Sequence, residues 1–253
     1  MYASYPSLRG RRVLITGGAS GIGAALVRGF AEQGSGVAFL DVQNDAASEL
    51  IAQVAAAGHA QPLYWHCDLT NASALHTVVT GAIAALGGLE VLVNNAGNDQ
   101  RHRTDEVTPE QWDNLMAINL RQQFFVTQAA LPALRASGTA SVLHMSSISW
   151  RIPSVGLPAY VAAKAAVVGL ARTLAHEEGI HGVRFNSIQP GAILTEKQKR
   201  LWITPEYSAE ILARQAIKRH LEPDEVVRLA LFLAGEDSSA ITGQSYVVDG
   251  GWM

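Results

Sequence analysis

Tyr160 and Lys164 stand four residues apart in an Ala-rich stretch, so on a helix they share a face and project together. A free phenol with a pKa near ~10 is a poor base at neutral pH. A neighbouring ammonium favours the phenolate and brings it into the range where it can accept a proton. Alone, such a pair reads as an ordinary surface contact. Ser147 changes that reading, because it ends an apolar run after His144-Met145-Ser146 and could hydrogen-bond the reacting oxygen. Asn119 is an awkward polar residue among Ile118, Leu120, Phe124 and Phe125. It is open to carrying a water, bonding the backbone, or facing solvent.

A second constellation binds where the first reacts. Thr16-Gly17-Gly18-Ala19-Ser20-Gly21-Ile22-Gly23 follows the apolar run Val13-Leu14-Ile15 and opens a helical pattern through Ala24, Leu26, Val27 and Phe30. A pyrophosphate reaches the backbone of such a turn only where no Cβ intervenes. Unpaired N–H groups and the dipole at the helix start then favour the anion. Asp41 closes the next apolar run, where a carboxylate accepts from adenosine ribose hydroxyls and repels a 2′-phosphate. Positions 18, 20 and 42 carry no Arg or Lys to welcome that phosphate, which favours NAD over NADP. A helix-capping Asp41 before Asn44-Asp45 is the competing reading. Asp68, with Leu69 beside it, is placed to accept from the adenine amino group, to cap the helix near Asn71, or both. Asn94-Asn95-Ala96-Gly97 would let a cofactor lie against backbone.

These groups need a frame that gathers strand ends. Strand-like runs at 12–16, 36–41, 62–67, 90–94, 141–146, 183–189 and 245–249 alternate with helical patterns near 21–33, 44–57, 71–86, 109–136, 157–179 and 223–235. The alternation predicts a single-domain α/β fold over 1–253, a Rossmann-type doubly wound parallel sheet of about seven strands with helices on both faces. The rhythm breaks at 191–222, an insertion placed where such a sheet carries a substrate lid. Its basic cluster, Lys197, Lys199 and Arg200, reads more readily as a solvated face than as an anion site. Hydrophobic residues make up 48% and charged residues 16%, a balance that fits a compact enzyme. A net charge of −3 without long like-charge blocks makes no case for nucleic acid or a membrane surface. The lone Cys67 and the lack of an apolar leader or membrane-length run lead to the expectation of a cytoplasmic protein. No cluster of His, Cys or carboxylates has metal-ligand spacing, so no metal is expected.

Jointly, TGGASGIG at 16–23, Asp68, NNAG at 94–97, Asn119, Ser147, Tyr160-x-x-x-Lys164 and Pro190-Gly191 resemble the short-chain dehydrogenases/reductases over nearly the whole chain. The resemblance implies that Tyr160 is the general base in oxidation and that Ser147 holds the substrate oxygen. It implies that Lys164 binds the nicotinamide ribose and lowers the Tyr160 pKa, while Asn119 supports a water relay. It places the nicotinamide amide near Ile193 and the Thr195 hydroxyl. It further implies a homotetramer assembled through the helices near 109–136 and 157–179.

Residues just beyond NNAG and Ser147 should line the substrate pocket. Asn98, Asp99 and His102 beside the Trp150 indole suit a polyhydroxylated ring, with Gln189 and Trp202 completing the expected contacts. The segments NNAGNDQRH, SISW, LWITPE and DGGW are similar to bacterial NAD-dependent aldose 1-dehydrogenases. That implies oxidation of a cyclic sugar at C1 to its lactone and leaves open D-xylose, L-arabinose, D-galactose and L-fucose. Arg101, Arg151 and the 197–200 cluster motivate a dehydrogenase of a sugar acid or another keto acid as an alternative. A non-catalytic dinucleotide sensor is the alternative from another class. Trp252 and Met253 either cap a neighbouring subunit or form a flexible tail.

Overall fold

Each apolar run becomes a strand of one sheet, in a computed structural model that describes residues 2–253. The strands are β1 (Arg12–Thr16), β2 (Gly36–Asp41), β3 (Leu63–His66), β4 (Val91–Asn94), β5 (Ser141–Met145), β6 (Arg184–Pro190) and β7 (Ser245–Val248). All neighbours pair in parallel, in the order β3-β2-β1-β4-β5-β6-β7. Side chains alternate along β1: Val13 and Ile15 enter one core, Leu14 the other. The first core packs under α1 (Gly21–Glu32), α2 (Asn44–Ala56) and α9 (Pro223–Ala234). The second packs under α3 (Ala72–Leu86), the later part of the 109–136 stretch and α6 (Pro158–Glu178). Both faces are covered, which is why the central strands read as continuous apolar runs.

The winding reverses between β1 and β4, where Thr16 pairs with Asn94. At such a reversal the loops diverge and leave a crevice at the carboxyl ends of the strands. The glycine run and the NNAG segment leave the sheet there side by side.

Two stretches depart from the sequence pattern. The 109–136 helix is interrupted: α4 (Pro109–Met116) passes through a π-helical turn at Ala117–Arg121 into α5 (Gln122–Ser137). Such turns recur at functional sites, and this one contains Asn119. The 191–222 insertion forms α7 (Glu196–Leu201) and α8 (Pro205–Arg214), each started by a threonine, Thr195 or Thr204, whose hydroxyl accepts an N–H of the first turn. A bridge between Ile193 and Leu221 closes its base. The C-terminal segment folds back onto it, with Ile217 N–H donating to Gly250 O at 2.9 Å and Met253 N–H to Asp249 Oδ2 at 3.1 Å.

Candidate active site

The turn from β1 into α1 is built on backbone contacts. A Cβ on Gly23 would stand 1.8 Å from Gly17 O, so only glycine lets the helix start lie against the turn. Asn95 Nδ2 donates to Thr16 O at 3.1 Å and Gly17 O at 3.0 Å. The Thr16 hydroxyl accepts from the Asn95 and Ala96 N–H groups at 3.0 and 3.1 Å. Asn95, expected at the cofactor, therefore spends its side chain on holding the glycine turn, with Thr16 as a partner the sequence did not single out. Ser20, at the N-cap of α1, makes no side-chain bond to the first turn. That helix start thus keeps donors for an outside acceptor. The Thr195 methyl packs over Gly21, 3.3 Å from where a Cβ would stand.

Asp41 is buried and held by four donors. Oδ2 accepts from Ala19 N–H at 2.9 Å; Oδ1 accepts from the N–H groups of Val42 and Gln43 at 2.8 and 3.1 Å, and from Gln43 Nε2 at 3.2 Å. The N-cap of α2 is Gln43, so Asp41 anchors the turn and does not cap that helix. Similarly, Asn71 caps α3, while the Asp68 carboxylate accepts from the Thr70 hydroxyl and N–H at 2.7 and 2.9 Å. Those bonds hold Asp68 below the usual carboxylate range. Leu69 and Cys67 are buried beside it, and burial pushes the Cys67 thiol up.

Tyr160 and Lys164 lie on α6 next to the ends of β4 and β5. Lys164 is almost fully buried, and its Nζ donates to Met145 O at 2.8 Å. Gly97 leaves the space: a Cβ there would lie 3.2 Å from Lys164 Nζ. Ser146 Oγ donates to Lys164 O at 2.6 Å, pinning α6 to the end of β5. Burial lowers the Lys164 pKa to about 8, opposed by the charge of Asp99. Burial raises the Tyr160 phenol, Asp99 raises it further, and a hydrogen bond with Ser147 works the other way. Ser147 Oγ also accepts from Ser149 N–H at 3.1 Å.

Asn119 is fully buried, which removes the solvent-facing reading. Its side chain grips the Asn98 backbone from both sides: Oδ1 accepts from Asn98 N–H and Nδ2 donates to Asn98 O, each at 2.9 Å. A further bond from Nδ2 to Leu115 O leaves only the main-chain carbonyl for any relay, and Gln123 Nε2 touches that carbonyl at 3.3 Å. Gln123 Oε1 meets His144 Nδ1 at 2.9 Å. Because Gln123 Nε2 faces the Asn119 and Met145 carbonyls, Oε1 must accept and His144 carries its proton on Nδ1. Burial and the nearby Lys164 push the His144 pKa down to about 3. Nothing in the sequence pattern marked Gln123 or His144 as a buried polar pair.

The expected sugar contacts divide. Asn98 and Asp99 stand at the mouth of the crevice, tied to α7: Asp99 Oδ1 accepts from Lys197 Nζ and Oδ2 from Gln198 Nε2, both at 2.7 Å. Trp202 lies under the Arg101 guanidinium, 4.5 Å from the ring centre, and Arg151 covers Trp150 at 4.9 Å. The His102 backbone N–H donates to Gly156 O at 2.8 Å. Gln189 is fully buried within β6; its Nε2 donates to Ser245 Oγ and its Oε1 has no protein partner. Pro190 and Gly191 end the same strand, Gly191 N–H donating to Val248 O at 2.9 Å, and buried Ile193 lies in the bridge beyond. Among the described residues no group of His, Cys, Asp and Glu could hold a metal ion, and no helix is long and apolar enough to cross a membrane.

Known proteins share this arrangement of elements. The sequence profile described as enoyl-(acyl carrier protein) reductase matches residues 17–253. A probable galactose dehydrogenase of Rhizobium meliloti is 43% identical over 98% of this chain and 97% of its own length. A D-xylose 1-dehydrogenase of Caulobacter vibrioides is 44% identical over 99% of this chain and 98% of its own. Among solved structures, a putative short-chain alcohol dehydrogenase of Sinorhizobium meliloti superposes with a TM-score of 0.92 at 28% identity, covering 98% of each chain. A 7α-hydroxysteroid dehydrogenase in complex with NADH and 7-oxo glycochenodeoxycholic acid also reaches 0.92, at 31% identity over 97% of this chain and 96% of that one. With the reversal point, the glycine turn and the Ser147–Tyr160–Lys164 cluster on one sheet edge, the chain belongs to the short-chain dehydrogenase/reductase family of oxidoreductases.

Proposed function

We propose that this protein oxidises a cyclic aldose at C1 to its lactone, with NAD as hydride acceptor. The observation that carries the reading is the convergence of Ser147, Tyr160 and Lys164 beside a polar loop, Asn98-Asp99, whose amide and carboxylate are held by Lys197 and Gln198 of α7. The two sugar dehydrogenases that match along almost the whole chain support the same substrate class.

The residues fit a dinucleotide. The uncapped start of α1 would take the pyrophosphate, and Asp41 the adenosine ribose. Oδ1 of Asp41 is already saturated by protein donors, while Oδ2 has one bond and keeps acceptor capacity for a ribose hydroxyl. Held so, the carboxylate cannot swing away from a 2′-phosphate without breaking loop bonds, which favours NAD over NADP. When bound, the dinucleotide supplies the hydride acceptor and a positive charge near the phenol. Ser147 holds the C1 hydroxyl, Tyr160 takes its proton, and Lys164, fixed by Met145 O, stabilises the phenolate and the nicotinamide ribose. Pro190, Gly191, Ile193 and Thr195 would border the nicotinamide end, and 191–222 would act as the lid. The exposed pair Phe124 and Phe125 on α5 supports assembly through that helix into a homotetramer.

Most of the cations that motivated a sugar-acid substrate are engaged: Arg101 and Arg151 lie on indole rings, and Lys197 and Lys199 are ion-paired, which leaves Arg200 of that set. A neutral sugar is the better fit. Initial rates with a panel of pentoses, hexoses and their acids, each with NAD and NADP, test the reading. Faster NAD reduction by a neutral aldose is expected; no turnover of any aldose sinks the substrate assignment.

A further inference from the structure

Two consecutive glutamines follow the π-helical turn, and each amide nitrogen serves two carbonyls at once. Gln122 Nε2 donates to Ile118 O at 3.2 Å and to Ala96 O at 3.1 Å. Gln123 Nε2 donates to Asn119 O at 3.3 Å and to Met145 O at 3.2 Å. One carbonyl of each pair belongs to the turn itself; the other belongs to a chain leaving the sheet, Ala96 after β4 and Met145 at the end of β5. Both glutamines are buried, Gln123 completely.

Met145 O also holds the reacting ammonium, since Lys164 Nζ donates to it at 2.8 Å. This carbonyl is open to side chains because β4 stops short of it: the pairing of β4 with β5 ends at Asn94 and His144. A carbonyl oxygen has two lone pairs and takes donors best along those directions. Lys164 Nζ and Gln123 Nε2 divide the oxygen between them. The Gln123 amide is oriented from its other end, where Oε1 meets the His144 Nδ1 proton at 2.9 Å. Turned over, it would press its oxygen against two carbonyls and leave the buried imidazole N–H without an acceptor.

A lysine ammonium is a point charge with rotatable donors on a flexible stem, so its place is set by what receives its protons. We propose that Gln123 is a positioning residue for the proton transfer: by occupying one side of Met145 O it confines the Lys164 ammonium to the other, and so keeps that charge 5.4 Å from the centre of the Tyr160 ring. His144 contributes by holding the amide the right way round. The inference rests on Tyr160 being the base and Lys164 the cation that stabilises its phenolate. Being completely buried, Gln123 acts through Lys164.

The test compares wild type, Gln123→Met and Gln123→Met/His144→Phe. Methionine keeps an unbranched side chain and removes the donor. The double variant also removes the imidazole left unpaired, and replacing both members of a buried polar pair costs less than replacing one. With NAD added, the ultraviolet difference between each protein and its Tyr160→Phe counterpart follows the phenol titration, while urea denaturation gives stability. An ammonium free to drift ~1 Å farther from the phenol should move that titration upward by about half a pH unit, roughly a threefold loss of phenolate at lower pH. The same shift is expected in both variants although their stabilities differ. Titrations that coincide with wild type overturn the proposal, as does a shift confined to the less stable variant. A wild-type titration that NAD leaves unmoved refutes Tyr160 as the base, and this proposal with it. No sugar enters the measurement, so failure of the aldose assignment leaves its outcome intact.

Discussion

Lys164 Nζ stands 5.4 Å from the centre of the Tyr160 ring and gives its hydrogen bond to Met145 O, so strand β5 holds the ammonium and the phenol does not. Burial draws the two groups in opposite senses, Lys164 down to about 8 and Tyr160 up. The protein's own groups therefore leave the phenol protonated and the ammonium charged near neutral pH. Phenolate formation needs a further positive charge close by, which makes proton acceptance contingent on an oxidised cofactor.

Tyr160→Phe keeps the ring and removes the proton acceptor. Turnover should fall by about a thousandfold, within the range general-base removal produces. NAD affinity, read by fluorescence titration, should change less than twofold. Retained turnover refutes the role given to Tyr160.

Cofactor choice should resist a single change. Val42 is exposed beside Asp41, and Val42→Arg alone should leave NAD strongly preferred, because the carboxylate stays pinned by Ala19, Val42 and Gln43. Asp41→Ser/Val42→Arg should move the ratio of kcat/KM for NADP over NAD upward by at least about tenfold, the gain one well-placed charge contact supplies. Equal ratios in the two variants would dissociate Asp41 from cofactor choice.

Two glycines predict opposite outcomes. Gly23→Ala pushes a Cβ to 1.8 Å from Gly17 O and should cost roughly 3 kcal/mol or more, with NAD binding lost. Gly36→Ala meets nothing within 4 Å and should stay within about 0.5 kcal/mol of wild type. Urea denaturation with and without NAD reads both.

His144 should make the fold acid-sensitive. Its folded pKa lies near 3 against an unfolded value near 6.5, so between those values the unfolded chain binds more protons. Its contribution to stability is present above about 6.5 and declines as pH falls toward 3, by up to about 1.4 kcal/mol per pH unit. His144→Asn keeps a donor toward Gln123 Oε1 without a titrating ring. Stability of the variant relative to wild type should improve from pH 7 to pH 4.5; parallel stability curves would refute the assignment.

The frame was legible because its signals are local. Alternation of apolar runs with helical periodicity predicted strands within one residue of those observed, and the glycine run lies at the β1–α1 junction as its spacing required. Helical periodicity could not distinguish α from π hydrogen bonding, so the turn holding Asn119 was read as continuous helix. Asp68 was read as a possible cap because cap preference depends on residue type, while the choice between Asp68 and Asn71 depends on where the helix axis begins.

By itself the sequence determined the sheet, the strand ends after which Asp41 and Ser147 stand, and the helix that carries Tyr160 and Lys164, since each follows from patterns a few residues long. Only the tertiary structure decided what those side chains touch. Lys197, plausible as a solvated cation, follows β6 and pairs with Asp99 from the loop after β4, two strands away; Gln189, plausible as a sugar contact, is buried on β6 with its amide on Ser245 of β7; and Gln123 finds His144 across two elements. Hydrogen-bond partners remote in sequence are set by packing, where desolvation makes each buried polar group seek whatever donor or acceptor the fold brings near.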